Sequence, residues 1–180
     1  MNTDLHIREL VNRLARLDAA SAWGSDLNPT QRAVLDYLGR ANRFSRSPSH
    51  VADYLGSTRG TVSQSFKSLV QKGYVSERRS EFDKRAISFD LTEKGLDVVK
   101  AGSPLTDVLA GCSSDQKDAV LTALQQVLGG VLSQNAGRAF GVCANCVHHV
   151  SRPLGGFCSL LSEPLTQSET TQICHEYTSR

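Results

Sequence analysis

Hydrophobic positions follow two rhythms along this chain, and the change from one to the other marks its most informative stretch, Val51 to Leu91. Val62, Phe66, Leu69 and Val70 recur at helical spacing. Further on, Ile87, Phe89 and Leu91 alternate with Ser88 and Asp90, as in a strand with one face turned inward. The helical part reads VADYLGSTRGTVSQSFKSL. Ala52, Gly56 and Val62 fall where two short, tightly crossing helices need a small residue, a turn glycine and a buried branched residue. Start signals agree. Asn28, Pro29 and Gln31 predict a helix with a capping side chain, a proline at its first position and a glutamine reaching back, with Ala33, Val34, Leu35 and Leu38 toward the core. Ser47 and Pro48 repeat the signal for a helix ending near Leu55. Gly56 and Ser57 form a turn, Thr58 caps the next helix, and Lys72 with Gly73 end it. Tyr74 to Arg79 and Ala86 to Leu91 are then the two strands of a hairpin with the polar tip SEFDKR.

The flanks are helical too. Thr3 to about Ser25 carries Ile7, Leu10, Val11, Leu14 and Leu17 on one face. Thr92 to Gly111 is helical with a break at Gly102 to Pro104. Ser113 and Gln116 form a capping box for a helix carrying Val120, Leu124, Val127, Leu128 and Val131, widened by Leu121 and Leu132. Faces this wide need cover, from the rest of the chain or from a second subunit. No apolar run approaches the roughly 18–20 residues that cross a bilayer, and the N-terminus lacks the pattern of a signal peptide. The expectation is a cytoplasmic protein with no membrane partner. At 180 residues with 39% hydrophobic content, the chain can bury one substantial core plus a small appendage.

A net charge of +2 identifies no partner, so the argument rests on where the charges sit. Arg59, Lys67, Lys72, Arg78, Arg79, Lys84 and Arg85 face only Glu77, Glu81 and Asp83 in the same stretch. On the second helix Gly60, Gln64, Lys67 and Gln71 point away from the apolar face, with Thr61 and Ser63 on its flanks. Small and polar side chains suit the major groove, where Gln pairs with adenine edges and Lys or Arg with guanine edges or phosphates. A basic hairpin beside such a helix is a wing, whose arginine can reach into a minor groove. The candidate contacts to double-stranded DNA are Thr58, Arg59, Thr61, Ser63, Gln64, Lys67, Arg78, Arg79, Lys84 and Arg85.

From Leu27 to Gly95, and more loosely to Ala136, the chain resembles the MarR family of bacterial winged helix-turn-helix regulators. The resemblance is carried by the helix-turn-helix, the KGYVSERR exit into the wing, the Asp83-Lys84-Arg85 tip and the LTEKG after the second strand. It implies a mainly α fold with a small β wing and a homodimer built from the first and last helices. It also implies a wing in which Asp83 orients the hairpin and Arg85 enters the minor groove. A two-fold dimer would read a pseudo-palindromic operator with half-sites about one helical turn apart.

Beyond Gly137 the resemblance ends. Cys143 and Cys146 form a C-x2-C pair, Cys158 follows after eleven residues and Cys174 after fifteen more, while Cys112 stands alone and reads as a small buried or partly buried residue. In a reducing compartment such a cluster reads as metal ligands. Structural zinc sites usually pair two short knuckles, and only one is present. A pair followed by two lone cysteines resembles the ligation of high-potential iron-sulfur proteins, at different intervals, which implies a 4Fe-4S cluster; zinc, a 2Fe-2S centre or redox disulfides are the alternatives. Phe140, Val142, Val147, Val150, Leu154, Phe157, Leu160, Leu161, Ile173 and Tyr177 are candidates to shelter it, and His148, His149 and His175 to surround it, or to replace a ligand. The reading is a regulatory domain over 1–136 and a cysteine module over 137–180. The module would set operator affinity in response to oxidation, nitric oxide or iron shortage, acting through the long helix that precedes it. The rival readings are a MarR-like regulator with structural zinc and a small-molecule effector, and an electron-transfer component. No catalytic constellation emerges, so no enzyme activity is expected.

Overall fold

A computed structural model describes residues 2–20, 26–79, 87–134 and 137–180. The expected N-terminal helix is α1, Thr3–Ala20. In α2, Pro29–Arg40, the Asn28 side chain accepts from the Gln31 backbone and the Gln31 side chain accepts from the Asn28 N–H, completing the capping box. Helix α3, Pro48–Leu55, starts on Ser47 and stops at Gly56, whose φ of 58° is a left-handed conformation that glycine adopts freely. Thr58 caps α4, Arg59–Gln71. Strands β1, Val75–Arg79, and β2, Ile87–Leu91, pair antiparallel with Val75 opposite Leu91 and Arg79 opposite Ile87. Helices α5, Glu93–Lys100, and α6, Pro104–Ala110, flank the expected break, and Ser113 with Gln116 starts α7, Ser114–Gln134.

The core forms where α2, α3 and α4 meet. Val34, Leu35, Leu38, Val51, Val62, Phe66 and Leu69 are fully or almost fully buried there. Phe66 stacks on Phe89 of β2 with ring centroids 4.1 Å apart, which ties α4 to the wing. Two positions depart from the helical pattern. Val70, expected inward, is 41% exposed because it lines an open cavity of about 430 Å³ between α4 and the wing. Ser65 is buried in its place, with its hydroxyl donating to the Thr61 carbonyl. Helices α1 and α7 contain no buried residue, and their apolar faces, Leu10 and Leu14 on one and Leu124 and Leu128 on the other, are about half exposed in the single chain.

The tail is a set of short elements: β3, Gly141–Val142; β4, His149–Arg152; β5, Gly155–Cys158; β6, Glu163–Leu165; α8, Gln167–Thr170; and β7, Ile173–Cys174. Strands β4, β5 and β6 form an antiparallel sheet, and β3 pairs with β7. Although it follows α7 in sequence, the tail packs on the corner between α2 and α3. The Asn42 N–H donates to the Ile173 carbonyl at 2.9 Å, and the His175 N–H donates to the Ser45 hydroxyl at 2.8 Å. Arg43 pairs with Glu169 and donates to the Pro164 carbonyl. Ile173 belongs to the main core, with Phe140 packed against it. On α3, the His50 ring stacks on the His175 ring at 3.6 Å.

Two outcomes follow. A Cβ on Gly95 would collide with the Tyr74 carbonyl oxygen, where α5 abuts the entry to β1. Gly95→Ala should therefore cost about 1–3 kcal/mol in denaturant melts. Burial first, and then the His175 ring and Arg138, against the opposing pull of Glu176 and Asp53, lower the His50 pKa from 6.5 to about 4. The folded chain then binds fewer protons than the unfolded one between these values, so stability is level above pH 6.5 and falls as pH drops toward 4. His50→Phe keeps a ring against His175 and should flatten the dependence of melting temperature on pH in that window.

Candidate nucleic-acid interface and cysteine site

The first four backbone N–H groups of a helix lack partners inside it. At α4 the Thr58 hydroxyl accepts from the Thr61 N–H at 3.1 Å and also bonds the Thr61 hydroxyl at 2.8 Å. This cap fixes the end of the helix that would enter a groove. Arg59, Gly60, Thr61, Gln64 and Lys67 are exposed together, whereas Ser63 is half-buried at the edge of the cavity beside the wing. Gln71 is also exposed, but Lys72 is structural: its ammonium donates to the Asp26 carbonyl and, at 3.2 Å, to the Gln31 side chain.

On the wing, Arg78 lies 3.5 Å from Asp90 and Arg79 pairs with Glu77 at 2.8 Å, with both arginine side chains more than half exposed. The hairpin is held at its base by Arg46, a residue the sequence pattern did not single out. Its guanidinium donates to the Ala41 carbonyl at 3.0 Å and to Asp90 at 2.6 Å, and its carbonyl accepts from the Phe89 N–H. Asp83, Lys84 and Arg85, the expected orienting residue and wing-tip contacts, lie outside the described residues. A signal for Arg46 existed only as an arginine beside a helix start, which by itself has many readings.

In the tail, Cys143, Cys146, Cys158 and Cys174 are all buried, and all are free thiols. The C-x2-C pair forms a single turn closed by the Cys146 N–H on the Cys143 carbonyl at 3.0 Å. Cys158 stands on β5 and Cys174 on β7, and the Cys146 sulfur accepts from the Thr178 N–H at 3.5 Å. Burial, and then the nearby thiols of Cys174, Cys158 and Cys146 and the Glu169 carboxylate, push the Cys143 thiol up to about 12. The other three sulfurs are thus close enough to Cys143 to act on its thiol. Among the described residues, no three His, Cys, Asp or Glu side chains are disposed to hold a single metal ion. Cys112 is half-buried, its thiol directed at the Val108 carbonyl.

The apolar surroundings differ from expectation. Val147, Val150, Leu154 and Leu160 face solvent, because Val150 lies on the outer face of the tail sheet and Leu154 at a hairpin tip, and Phe140 and Ile173 join the main core instead. Around Cys143 and Cys158 pack Leu165, Leu161 and Phe44, the last contributed by the α2–α3 corner. Glu169 sits beside them. Burial raises its pKa, but hydrogen bonds from Thr166 and Arg43 outweigh that effect and leave the carboxyl below its ordinary value.

Comparison with known proteins bears on the first of these two sites. The MarR family model matches residues 25–86. Transcriptional repressor MprA of Escherichia coli (strain K12) is 27% identical over 113 residues, which cover 60% of this chain and 62% of that protein. The chain thus spans less than two thirds of the length of that curated relative. Streptococcus pneumoniae FabT, solved in complex with DNA, superposes with a TM-score of 0.54 at 26% identity, covering 71% of this chain and 96% of that one. A MarR transcriptional regulator from Methanosarcina mazei Go1 gives 0.57 at 24% identity, covering 72% and 96%. The Staphylococcus aureus MepR–DNA complex gives 0.57 at 18%, covering 73% and 99%. The capped helix-turn-helix lies within residues 25–86, the stretch that the MarR family model matches, and the fold it builds with the wing is the one shared by these solved regulators.

Proposed function

We propose that this chain is a transcription regulator that binds double-stranded DNA as a homodimer, with operator affinity governed by an iron-sulfur cluster on Cys143, Cys146, Cys158 and Cys174. The observation that carries the DNA-binding part is the outer face of α4, where Arg59, Thr61, Gln64 and Lys67 are exposed on a capped, core-anchored helix beside a basic hairpin. FabT and MepR, which share the fold, were both solved with DNA. Half-exposed apolar faces on α1 and α7 supply the surface for a second copy. That copy would set two α4 helices in successive major grooves of a pseudo-palindromic site.

For the cysteine part, the donor set is the support. Four buried thiols, three of them near enough to Cys143 to act on its thiol, with a carboxylate nearby, gather a donor set suited to a cation that displaces their protons. Four thiolates on one zinc ion require sulfurs about 2.3 Å from a common centre. A four-iron cluster takes one thiolate at each iron, so its four ligands need not converge on one point. The cluster would supply a cross-link among four chain segments that oxidant or nitric oxide can remove.

The path from these residues to DNA runs through the α2–α3 corner and bypasses the long helix α7 favoured by adjacency in sequence. Cys174 is flanked by Ile173, whose carbonyl holds Asn42, and by His175, which holds Ser45 and stacks on His50 of α3. Release of Cys174 would free β7, whose Ile173 carbonyl holds Asn42, and with it the adjoining His175 that holds Ser45 and stacks on His50. The angle at which α3 presents α4 changes accordingly.

Fluorescence anisotropy on an operator duplex tests the DNA reading. Lys67→Ala should lower the slope of log affinity against log salt by about one, the value for one lost phosphate contact. Gln64→Ala should cost about 1–3 kcal/mol on the preferred sequence and less on random DNA. Unchanged binding by both variants would show that α4 is not the reading helix. For the cysteine site, protein purified anaerobically should contain iron and inorganic sulfide near four per chain and show the broad visible charge-transfer absorption of a cluster. Cys174→Ser should remove both and change operator affinity without changing the helical signal in circular dichroism. Stoichiometric zinc with no sulfide would overturn the cluster.

A further inference from the structure

Strands β4 and β5 place His149 directly opposite Cys158. Residues opposite each other on an antiparallel pair share a face of the sheet, so the His149 ring lies on the side that carries Cys158 and, through the next pairing, Leu165. The ring has a fitted seat. It lies over Gly156, where the first carbon of any side chain would collide with it. The backbone holds it there as well, the His149 N–H donating to the Cys146 carbonyl at 3.2 Å. The imidazole is thus seated over Gly156 on the face of the sheet that carries Cys158.

Both of its ring nitrogens are buried and neither has a hydrogen-bond partner in the chain. A neutral imidazole always carries one N–H donor. Leaving a buried donor unmatched costs about 1–3 kcal/mol, so native folds rarely tolerate it unless something else receives the hydrogen. His175 is partnered by contrast, facing Asp53, Glu176 and Arg138.

We propose that His149 is a positioning residue of the cysteine site, donating a ring N–H to sulfur of the cluster bound there; the inference rests on the cluster reading above. A donor to cluster or thiolate sulfur stabilises the form carrying more negative charge, and so raises the reduction potential. Gly156 is part of the device, since any larger residue would displace the ring.

The test uses full-length protein purified anaerobically, with iron and sulfide assayed first. A mediated redox titration should then show His149→Leu holding the wild-type iron content at a lower midpoint potential. The expected displacement is about tenfold in the ratio of oxidised to reduced cluster, or about 59 mV for one electron. His149→Gln, which keeps a side-chain N–H, should recover part of it. Should the leucine variant fail to fold, pulsed electron paramagnetic resonance on reduced wild-type protein grown with ¹⁵N-histidine reads the same contact. A weak nitrogen coupling that His149→Gln abolishes supports the donor. A strong coupling would make a histidine an iron ligand and overturn it, as would an iron-loaded leucine variant with wild-type potential. Wild-type protein without iron and sulfide would overturn the cluster reading itself, and the inference with it.

Discussion

Six residues at the corner between α2 and α3, Ala41 to Arg46, hold the molecule together, and they do so with backbone groups and short polar side chains. Asn42 and Ser45 are completely buried, with the Asn42 carboxamide oxygen accepting from the Ser45 hydroxyl at 2.7 Å and the Phe44 N–H at 3.2 Å. The Tyr37 hydroxyl donates to the Ser45 carbonyl. From this knot the Ala41 carbonyl and Arg46 reach the wing through Asp90, while Asn42, Arg43 and Ser45 reach the tail. Buried hydrogen bonds of this kind are costly to leave half made, so the corner has few alternative arrangements. Wing and cysteine tail are therefore referred to one element.

The tail in turn cannot rest on apolar burial of its own. Residues 137–180 contribute Cys143, Cys158 and Leu165 to a buried cluster completed by Leu161 and by Phe44 of the corner. Chains of about 40 residues seldom fold on a hydrophobic core alone and draw on metals or cross-links. Here the supports are of two kinds: the docking of Ile173, His175 and Glu169 on the corner, and the gathering of four sulfurs from separate turns and strands. Each reinforces the other, because Cys174 stands between Ile173, its partner in β7, and His175, and both of these do the docking.

Signals in the sequence are legible where the physics is local. The caps at Asn28, Ser47, Thr58 and Ser113 are set by side chains three positions from the backbone N–H groups they satisfy, and the turn at Gly56 by glycine's freedom to take a φ of 58°. The inward face of α4 was legible for Val62, Phe66 and Leu69 and failed at Val70, where a helical wheel does not show that the wing leaves a gap. The wing anchor Arg46 and the docking of the tail were not legible, since both depend on which distant segment meets the corner. The cysteine spacing singled out four residues that the fold buries, but carried no information about where the tail docks, which is the α2–α3 corner.

That docking matters for how a signal could travel. A bound group changes DNA affinity only through a difference in its binding to two arrangements of the reading head. A module hung from the end of α7 alone would need a motion of the whole dimer to make such a difference. A tail whose Ile173 carbonyl accepts from Asn42 and whose His175 bonds Ser45 and stacks on His50 would make it through contacts on α3 and the corner before it. Moving such an equilibrium from almost fully one state to almost fully the other takes about 5.5 kcal/mol of differential binding. Several charge-assisted and buried hydrogen bonds made or released together, at about 1–3 kcal/mol each, are of that size.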